Sequence, residues 1–566
     1  MAAAVDGGGG QRKPPLTAVP PPPPSQQPQI RIGVDIERMT NQAIQALAGD
    51  PKIYQRGGNL VSVVTVPEGP KKGGVTRVAG AHVIVQVGLS GLRERLSSSA
   101  RWVKFINRSA TWEPTVPPDN VVTAVLDRKQ WPELRILVAV ATTPQLRPDG
   151  TILQTPGYDE TTGILYDPNE SYPDVSDFPT IEDAHGALDA IREVVCDFPF
   201  ARAEHESAWI AGLMTMLARP AIDGPVPLFA VDATTRGTGK SRLVDTAAVI
   251  ATGRHSARTV IPEDDDEMRK RITSIVLDGD PAVCLDNITQ PIALPSLDAV
   301  LTSTIWKDRA LRKNTNITAP HRTVWWATGN NLFLGGDLSR RSLHIRLESD
   351  LENPEERTGF KHEQLLAWVA ANRRRLVASA LTILRAYVLA EQPYEGGIWG
   401  SFEEWSRLIC GAITWAGATD PILARATQDT ALDDEKRALS VLIDGLNRLC
   451  PVPEGLPVQP LSAKAIISSL YPDHDPRDGP LPPDGFEDLR DAIEQETRCQ
   501  SGRTPEARRL GKWLQRVRGR VVAGWRIQRH EGRNHTACWR AEPSATEVAA
   551  AQEAASGIRE VLSDTP

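Results

Sequence analysis

Short, unbroken apolar runs, each ending in a polar residue, recur through the middle of the chain: Leu228-Phe229-Ala230-Val231 before Asp232, Ala282-Val283-Cys284-Leu285 before Asp286, and Val324-Trp325-Trp326-Ala327 before Thr328. Such runs predict buried strands. Ser342 to Leu347 alternates apolar and polar side chains and predicts a further strand. Helical spacing lies between them. From Lys240 to Ala251 the residues Leu243, Ala247 and Ile250 share one face and Gly253 supplies a stop. Asp183 to Arg219, Met268 to Leu277, Leu365 to Leu389 and Phe402 to Leu449 follow the same rule. The acidic run Glu263 to Glu267 predicts the first turn of the helix that follows, where negative charge meets the positive end of the dipole, rather than a metal cluster.

The flanks read differently. Residues 1–29 are rich in Gly and Pro, short of apolar side chains, and predict a disordered tail. From Ile30 to Thr180, alternating stretches such as Leu60 to Val64 and His82 to Val87, broken by Gly/Pro turns, predict a strand-rich domain with some helix. Asp35 and Glu37 sit ahead of a helical segment and read as its acidic first turn; the 30–180 stretch carries no convincing catalytic set for a primase. Beyond residue 456, Ser462 is an N-cap candidate, Arg508 to Arg518 places Leu510, Trp513, Leu514 and Val517 inward, and strands follow at Val521 to Ile527 and Ala537 to Arg540. Helices ahead of a two-stranded ribbon predict a winged helix over 456–545, with 546–566 as a tail.

The chemistry concentrates where the strands end. Thr234-Thr235-Arg236-Gly237-Thr238-Gly239-Lys240-Ser241 joins a strand to a helix and has the layout of a phosphate-binding loop, with Thr234 standing where the usual pattern has its first glycine. Bare amides surround phosphates, a lysine reaches the β- and γ-phosphates, and a hydroxyl meets Mg²⁺. Thr235, Arg236, Gly237, Thr238, Gly239, Lys240, Ser241 and Arg242 are accordingly expected to hold ATP, and Ser241 with Asp286 to hold Mg²⁺. Asn330, at the end of its strand, is placed to orient a water, and Arg340-Arg341 to supply a cation from a neighbouring subunit.

In combination, TTRGTGKS, VCLDN, WWATGNN and GDLSRR resemble the Walker A, Walker B, sensor 1 and arginine-finger segments of AAA+ ATPases of superfamily three, in the primase-helicase group of prophages, plasmids and integrative elements. YQRGGNLV, PDGTILQTPGYD and WAGATDP resemble the same group more loosely. The resemblance implies an α/β fold: an AAA+ P-loop core over 181–350, a helical lid over 351–455, and the flanking domains above. It implies an Mg-ATP-driven DNA helicase, a hexamer with ATP between subunits, single-stranded DNA in the channel, and a primase or initiator protein as partner. It also implies a channel hairpin over Trp306 to Arg322, in which Arg312, Lys313 and His321 touch the DNA backbone. This chain departs from the family at Asn287, where Glu commonly follows the Walker B Asp. Either Asp286 serves metal and water together, or Asn287 holds the water without deprotonating it.

Net charge is −7 over 566 residues, which argues against a protein that coats DNA everywhere. One basic concentration stands out: Arg503, Arg508, Arg509, Lys512, Arg516, Arg518, Arg520, Arg526, Arg529 and Arg533 face two acids, Glu506 and Glu531, and predict a duplex-binding surface on the winged helix. Six scattered cysteines predict reduced thiols without a zinc site. With no apolar stretch of membrane-spanning length and no signal-peptide core, the bacterial cytoplasm is the expected location and no membrane partner is expected. Two other readings fit the same residues: an AAA+ switch or loader that separates no strands, and a DNA-binding regulator with weak ATP hydrolysis.

Overall fold

The computed structural model describes residues 27–67, 71–72, 74–233, 237–262, 264–289, 292, 294–309, 316–330, 332, 334–335, 337–349, 354–449, 460–472, 484–497, 499, 504–522, 524–532 and 536–543. Two compact units divide the chain, Met1–Ala426 and Thr427–Pro566.

In the first unit the apolar runs become parallel strands β1 (Leu228–Ala233), β2 (Ala257–Thr259), β3 (Ala282–Ile288), β4 (Val324–Asn330) and β5 (Ser342–Leu347), in spatial order 5-1-4-3-2. Helices α1 (Ile181–Val195), α2 (Ala203–Ala218), α3 (Lys240–Thr252), α4 (Asp265–Asp278) and α5 (Leu365–Leu389) accompany them. Successive side chains of a strand point to opposite faces, and here both faces are apolar because both are covered. Phe229, Val231, Cys284, Trp326 and Ile345 pack with residues of α2, α3 and α5. Ala230, Val283, Leu285, Trp325 and Ala327 pack with residues of α4 on the other side. Asp264 caps α4 by accepting from the Glu267 amide, so the acidic run is the helix start that its position predicts. Arg373 of α5 is buried and donates Nε to Val249 O at 2.9 Å and Ile250 O at 3.0 Å, closing the carbonyl end of α3.

The N-terminal segment does more than precede this core. Val75–Thr76 pairs antiparallel with β2 through Thr76 and Arg258, and with Lys71–Lys72 it widens the sheet to seven strands. Helices Ile36–Ala48, Leu89–Ser99 and Asp119–Asp127 form a separate apolar cluster with strands Gln29–Arg31 and Arg101–Ile106. Asp35 caps the first of them and Glu37 lies in its first turn. Gly57 holds φ at +55°, and a Cβ there would fall 2.0 Å from the Thr318 carbonyl oxygen. The glycine in YQRGGNLV is thus required where this domain meets the strand Asn316–Pro320.

The second unit contains helices Asp429–Leu449, Ala463–Leu470, Glu487–Thr497 and Ala507–Val517, and an antiparallel sheet in which Ala537–Pro543 lies between Leu461–Ser462 and Trp525–Glu531, with Val521–Val522 outermost. Leu439, Leu442, Ile443 and Leu446 share one core with Ile466, Leu489, Leu510, Trp513 and Trp539. Helix 429–449 therefore belongs with the C-terminal unit, and the compact division falls at 426/427, ahead of the 455/456 position read from sequence. Segment 1–26 and tail 546–566 lie outside the described residues. Among the described residues no helix is long and apolar enough to cross a membrane.

Candidate functional site

Gly239 precedes α3 with φ at +90°, and Gly237 holds φ at +79°, so both need the freedom of glycine. A Cβ on Gly237 would meet the Glu355 carboxylate at 2.2 Å, so this acid packs against the loop. Lys240 is the first residue of α3. Its Nζ donates to Asn330 Oδ1 at 2.6 Å and to Thr238 Oγ1 at 3.3 Å. Burial pushes the Lys240 ammonium below its ordinary pKa, with Asp232 acting in the opposite direction. Thr235 and Arg236 lie outside the described residues, and Arg242 is exposed on the first turn of α3.

Strand alternation decides what faces α3. Asp286 lies two residues beyond Cys284 on β3, and Thr328 and Asn330 lie two and four beyond Trp326 on β4, all on the face that carries α3. Ser241 Oγ donates to Asp286 Oδ1 at 3.3 Å, as does Thr328 Oγ1 at 2.8 Å. Arg258 of β2 holds the other oxygen of Asp286 at 2.7 Å and Asp245 Oδ2 at 2.7 Å. Burial would raise the Asp286 pKa, but the Thr328 hydrogen bond and the Arg258 pair outweigh it and keep the group below the usual carboxylate range. An ionised carboxylate beside a hydroxyl is a donor set that suits Mg²⁺. The bare loop, the lysine and this pair fit a nucleoside triphosphate with its metal.

Asn287 occupies a bulge between Leu285 and Ile288 with φ at +54°. Asn tolerates this left-handed conformation better than Glu does. The Asn287 amide nitrogen donates to Thr328 Oγ1 at 3.1 Å, and its side chain is exposed. On the opposite face of β1, Asp232 is buried and accepts from the Leu332 amide at 3.0 Å, His344 Nε2 at 3.2 Å and Arg346. Sequence reasoning misses Arg258, Thr328 and Asp232 as parts of this site. Thr328 is discoverable as the i−2 neighbour of Asn330; Arg258 sits in a three-residue strand with no periodic signal.

The basic pair separates into two environments. Arg340 is 65% exposed and pairs with Asp337 at 2.9 Å, whereas Arg341 is 15% exposed and reaches Asp298 O at 2.6 Å and Asp337 at 2.9 Å. The expected hairpin is present as Ile305–Arg309 paired with Asn316–Pro320, and Arg312 and Lys313 lie outside the described residues. His321 needs correction as a DNA contact. It is 3% exposed, its Nδ1 faces Ser303 O at 3.0 Å, and Trp325 Nε1 donates to its Nε2 at 3.0 Å, which fixes a neutral ring in the core.

Burial lowers the His321 pKa to about 3. The unfolded chain protonates this ring near pH 6.5, so its contribution to stability is complete above that pH and is lost as pH falls toward 3. Between pH 6.5 and 5 the expected loss is about 2 kcal/mol. Denaturant titrations of wild type and His321→Gln should show a flatter pH dependence in the variant over that window; parallel curves would refute the neutral-core assignment.

In the second unit Arg508, Arg509, Lys512, Arg516, Arg518 and Arg520 are all exposed around the inward stripe Leu510, Trp513, Leu514 and Val517. Arg509 pairs with Glu506 at 3.6 Å and Arg516 with Glu496.

No family model matches the chain, and no curated protein matches it. Among solved structures it is similar to the apo A form of the NrS-1 C-terminal region, at 12% identity over 64% of this chain and 83% of that chain, TM-score 0.28. It is similar also to SCCmec type IV Cch, an active helicase, at 13% identity over 72% of this chain and 84% of that chain, TM-score 0.28. Neither likeness bears on function at that TM-score.

Proposed function

We propose that this chain is an ATP-driven DNA helicase or translocase of a mobile genetic element, acting as a hexamer. The observation that carries the reading is the meeting of Lys240 with Asn330 and of Ser241 with Asp286 at the C-terminal ends of β1, β3 and β4. Ligands of parallel α/β sheets bind at that end. The amides of Gly237 to Ser241 bind phosphate, and Lys240 exchanges the Asn330 oxygen for a phosphate oxygen. That exchange frees the Asn330 amide to orient a water. Asp286 and Ser241 hold the metal, which neutralises phosphate charge when bound. Arg340, the more exposed of the pair, reaches the neighbouring protomer's site. Three helices ahead of an antiparallel ribbon suit a winged helix, whose exposed arginines contact duplex phosphates.

DNA-stimulated phosphate release together with separation of a forked duplex tests the reading; turnover without strand separation would replace it by an AAA+ switch or loader. Asn287 favours that second reading, because an amide cannot accept the proton of the attacking water. For the C-terminal unit, removing 427–566 is expected to make the plot of log affinity against log salt less steep, by roughly 0.9 for every phosphate that the shortened protein leaves unneutralised.

A further inference from the structure

A cavity of about 370 Å³ lies at the edge of the sheet opposite the phosphate loop. Its walls are the starts of β2, β3 and β4, the ends of α2 and α3, and N-terminal segments around Arg56, Arg77 and Val138 to Thr143. Five arginines line it: Arg56, Arg77, Arg219, Arg254 and Arg322. Arg77 is neutralised, since its Nε meets Asp280 at 2.7 Å and its Nη2 meets Asp278 at 3.0 Å. Among the described residues, the other four have no carboxylate partner within ion-pair distance. Asp223 is the one remaining carboxylate in the lining; it is exposed, and its charge acts on Arg219 and Arg322 without forming an ion pair with either.

Arg56 and Arg219 are 5% and 4% exposed. Arg56 donates to backbone carbonyls alone, among them Leu137 O at 3.1 Å, Val276 O at 2.9 Å and Pro320 O at 2.9 Å. Arg219 reaches Ile222 O at 3.1 Å and His321 O at 3.5 Å. The Nε of each is buried without an acceptor, as is Nη1 of Arg322, whose side chain forms no ion pair or hydrogen bond among the described residues. Burial, with Arg322 adding repulsion, lowers the Arg56 pKa to about 10 and the Arg219 pKa to about 9.

Buried charges without counter-charge are costly, and unsatisfied buried donors are rare in folded proteins. Arg56 and Arg219 direct their Nη groups at backbone carbonyls and so tie these segments together, whereas Arg322 and Arg254 line the space half-buried and without a carboxylate partner. Guanidinium forks match phosphate oxygens two at a time, and the volume lies in the range of small-molecule sites. We propose that this cavity is a second ligand site, separate from the phosphate loop, that binds a small phosphorylated molecule through Arg322 and Arg254, the two half-buried arginines of the lining, with the charges of Arg56 and Arg219 beside them. The enclosure by α2, α3 and the N-terminal domain suits a free ligand rather than a nucleic-acid backbone.

Inorganic pyrophosphate is the probe, titrated calorimetrically into full-length Lys240→Ala protein so that the phosphate loop contributes little. Binding with a Kd below about 1 mM is expected, and adding Arg322→Met should weaken it at least tenfold, roughly the loss of one bidentate charged contact. Because Arg322→Met removes a half-buried charge that forms no ion pair, the ligand-free protein should melt no lower than its parent; Arg254→Lys, which keeps charge but loses the fork, should show an intermediate loss. Absence of binding up to about 10 mM, equal binding by Arg322→Met, or displacement of the probe by a short DNA oligonucleotide would each overturn the proposal.

Discussion

Replacing Lys240 by alanine is expected to lower ATP turnover by about 10³-fold or more, with and without DNA. The lysine is held at the first turn of α3 by Asn330 at 2.6 Å and Thr238 at 3.3 Å, with its ammonium partly stripped of water. A desolvated cation gains more from an arriving phosphate than one in bulk water, because the local dielectric is lower. Alanine removes this charge and also leaves Asn330 without its partner. Steady-state phosphate release measures the loss, and the melting temperature serves as the control for folding. A variant that retained a tenth of the wild-type rate would contradict the site.

Arg340→Ala should cost turnover by about 10³-fold while leaving the monomer's stability nearly unchanged. Its side chain is exposed and its pair with Asp337 is a surface contact, of the kind that contributes little to folding. Arg341→Ala should behave in the opposite way. That side chain anchors the turn to the Asp298 carbonyl at 2.6 Å, so its loss should lower the melting temperature first and activity in proportion. A mixing experiment isolates the intersubunit role. Arg340→Ala and Lys240→Ala proteins, each inactive alone, should recover part of the turnover when combined, because some interfaces then join an intact loop to an intact arginine. No recovery, with mixed oligomers demonstrated by mass, would place Arg340 outside the site.

The parts of this site that can be read from the sequence are those set by strand ends. Apolar runs covered on both faces announce β1, β3 and β4 without alternation, and polar residues at or just past the end of a run lie at the ligand end of the sheet; Asp286, which breaks its run, and Asn330, three residues past Ala327, are legible for that reason. Position along the chain gives no such guide to Arg258, whose strand is three residues long, or to Val75–Thr76, which joins the sheet through a single paired residue from a distant domain. His321 shows a different limit. A histidine beside an arginine in a basic hairpin looks like a phosphate contact, yet Trp325 four residues later and the Ser303 carbonyl bury it. Helix 429–449 is visible as a helix, but which core takes its leucines is a tertiary fact.

The strand β4 has one end at the base of the hairpin and the other at Asn330. Seven residues of strand span roughly 20 Å, and hydrogen bonds to β1 and β3 flank it. A strand braced on both sides resists stretching and bending, so in the proposed motor it is the expected path by which a shift at the hairpin base reaches Asn330. In the helicase proposed above, force on DNA would gate hydrolysis through the same strand by which hydrolysis moves DNA.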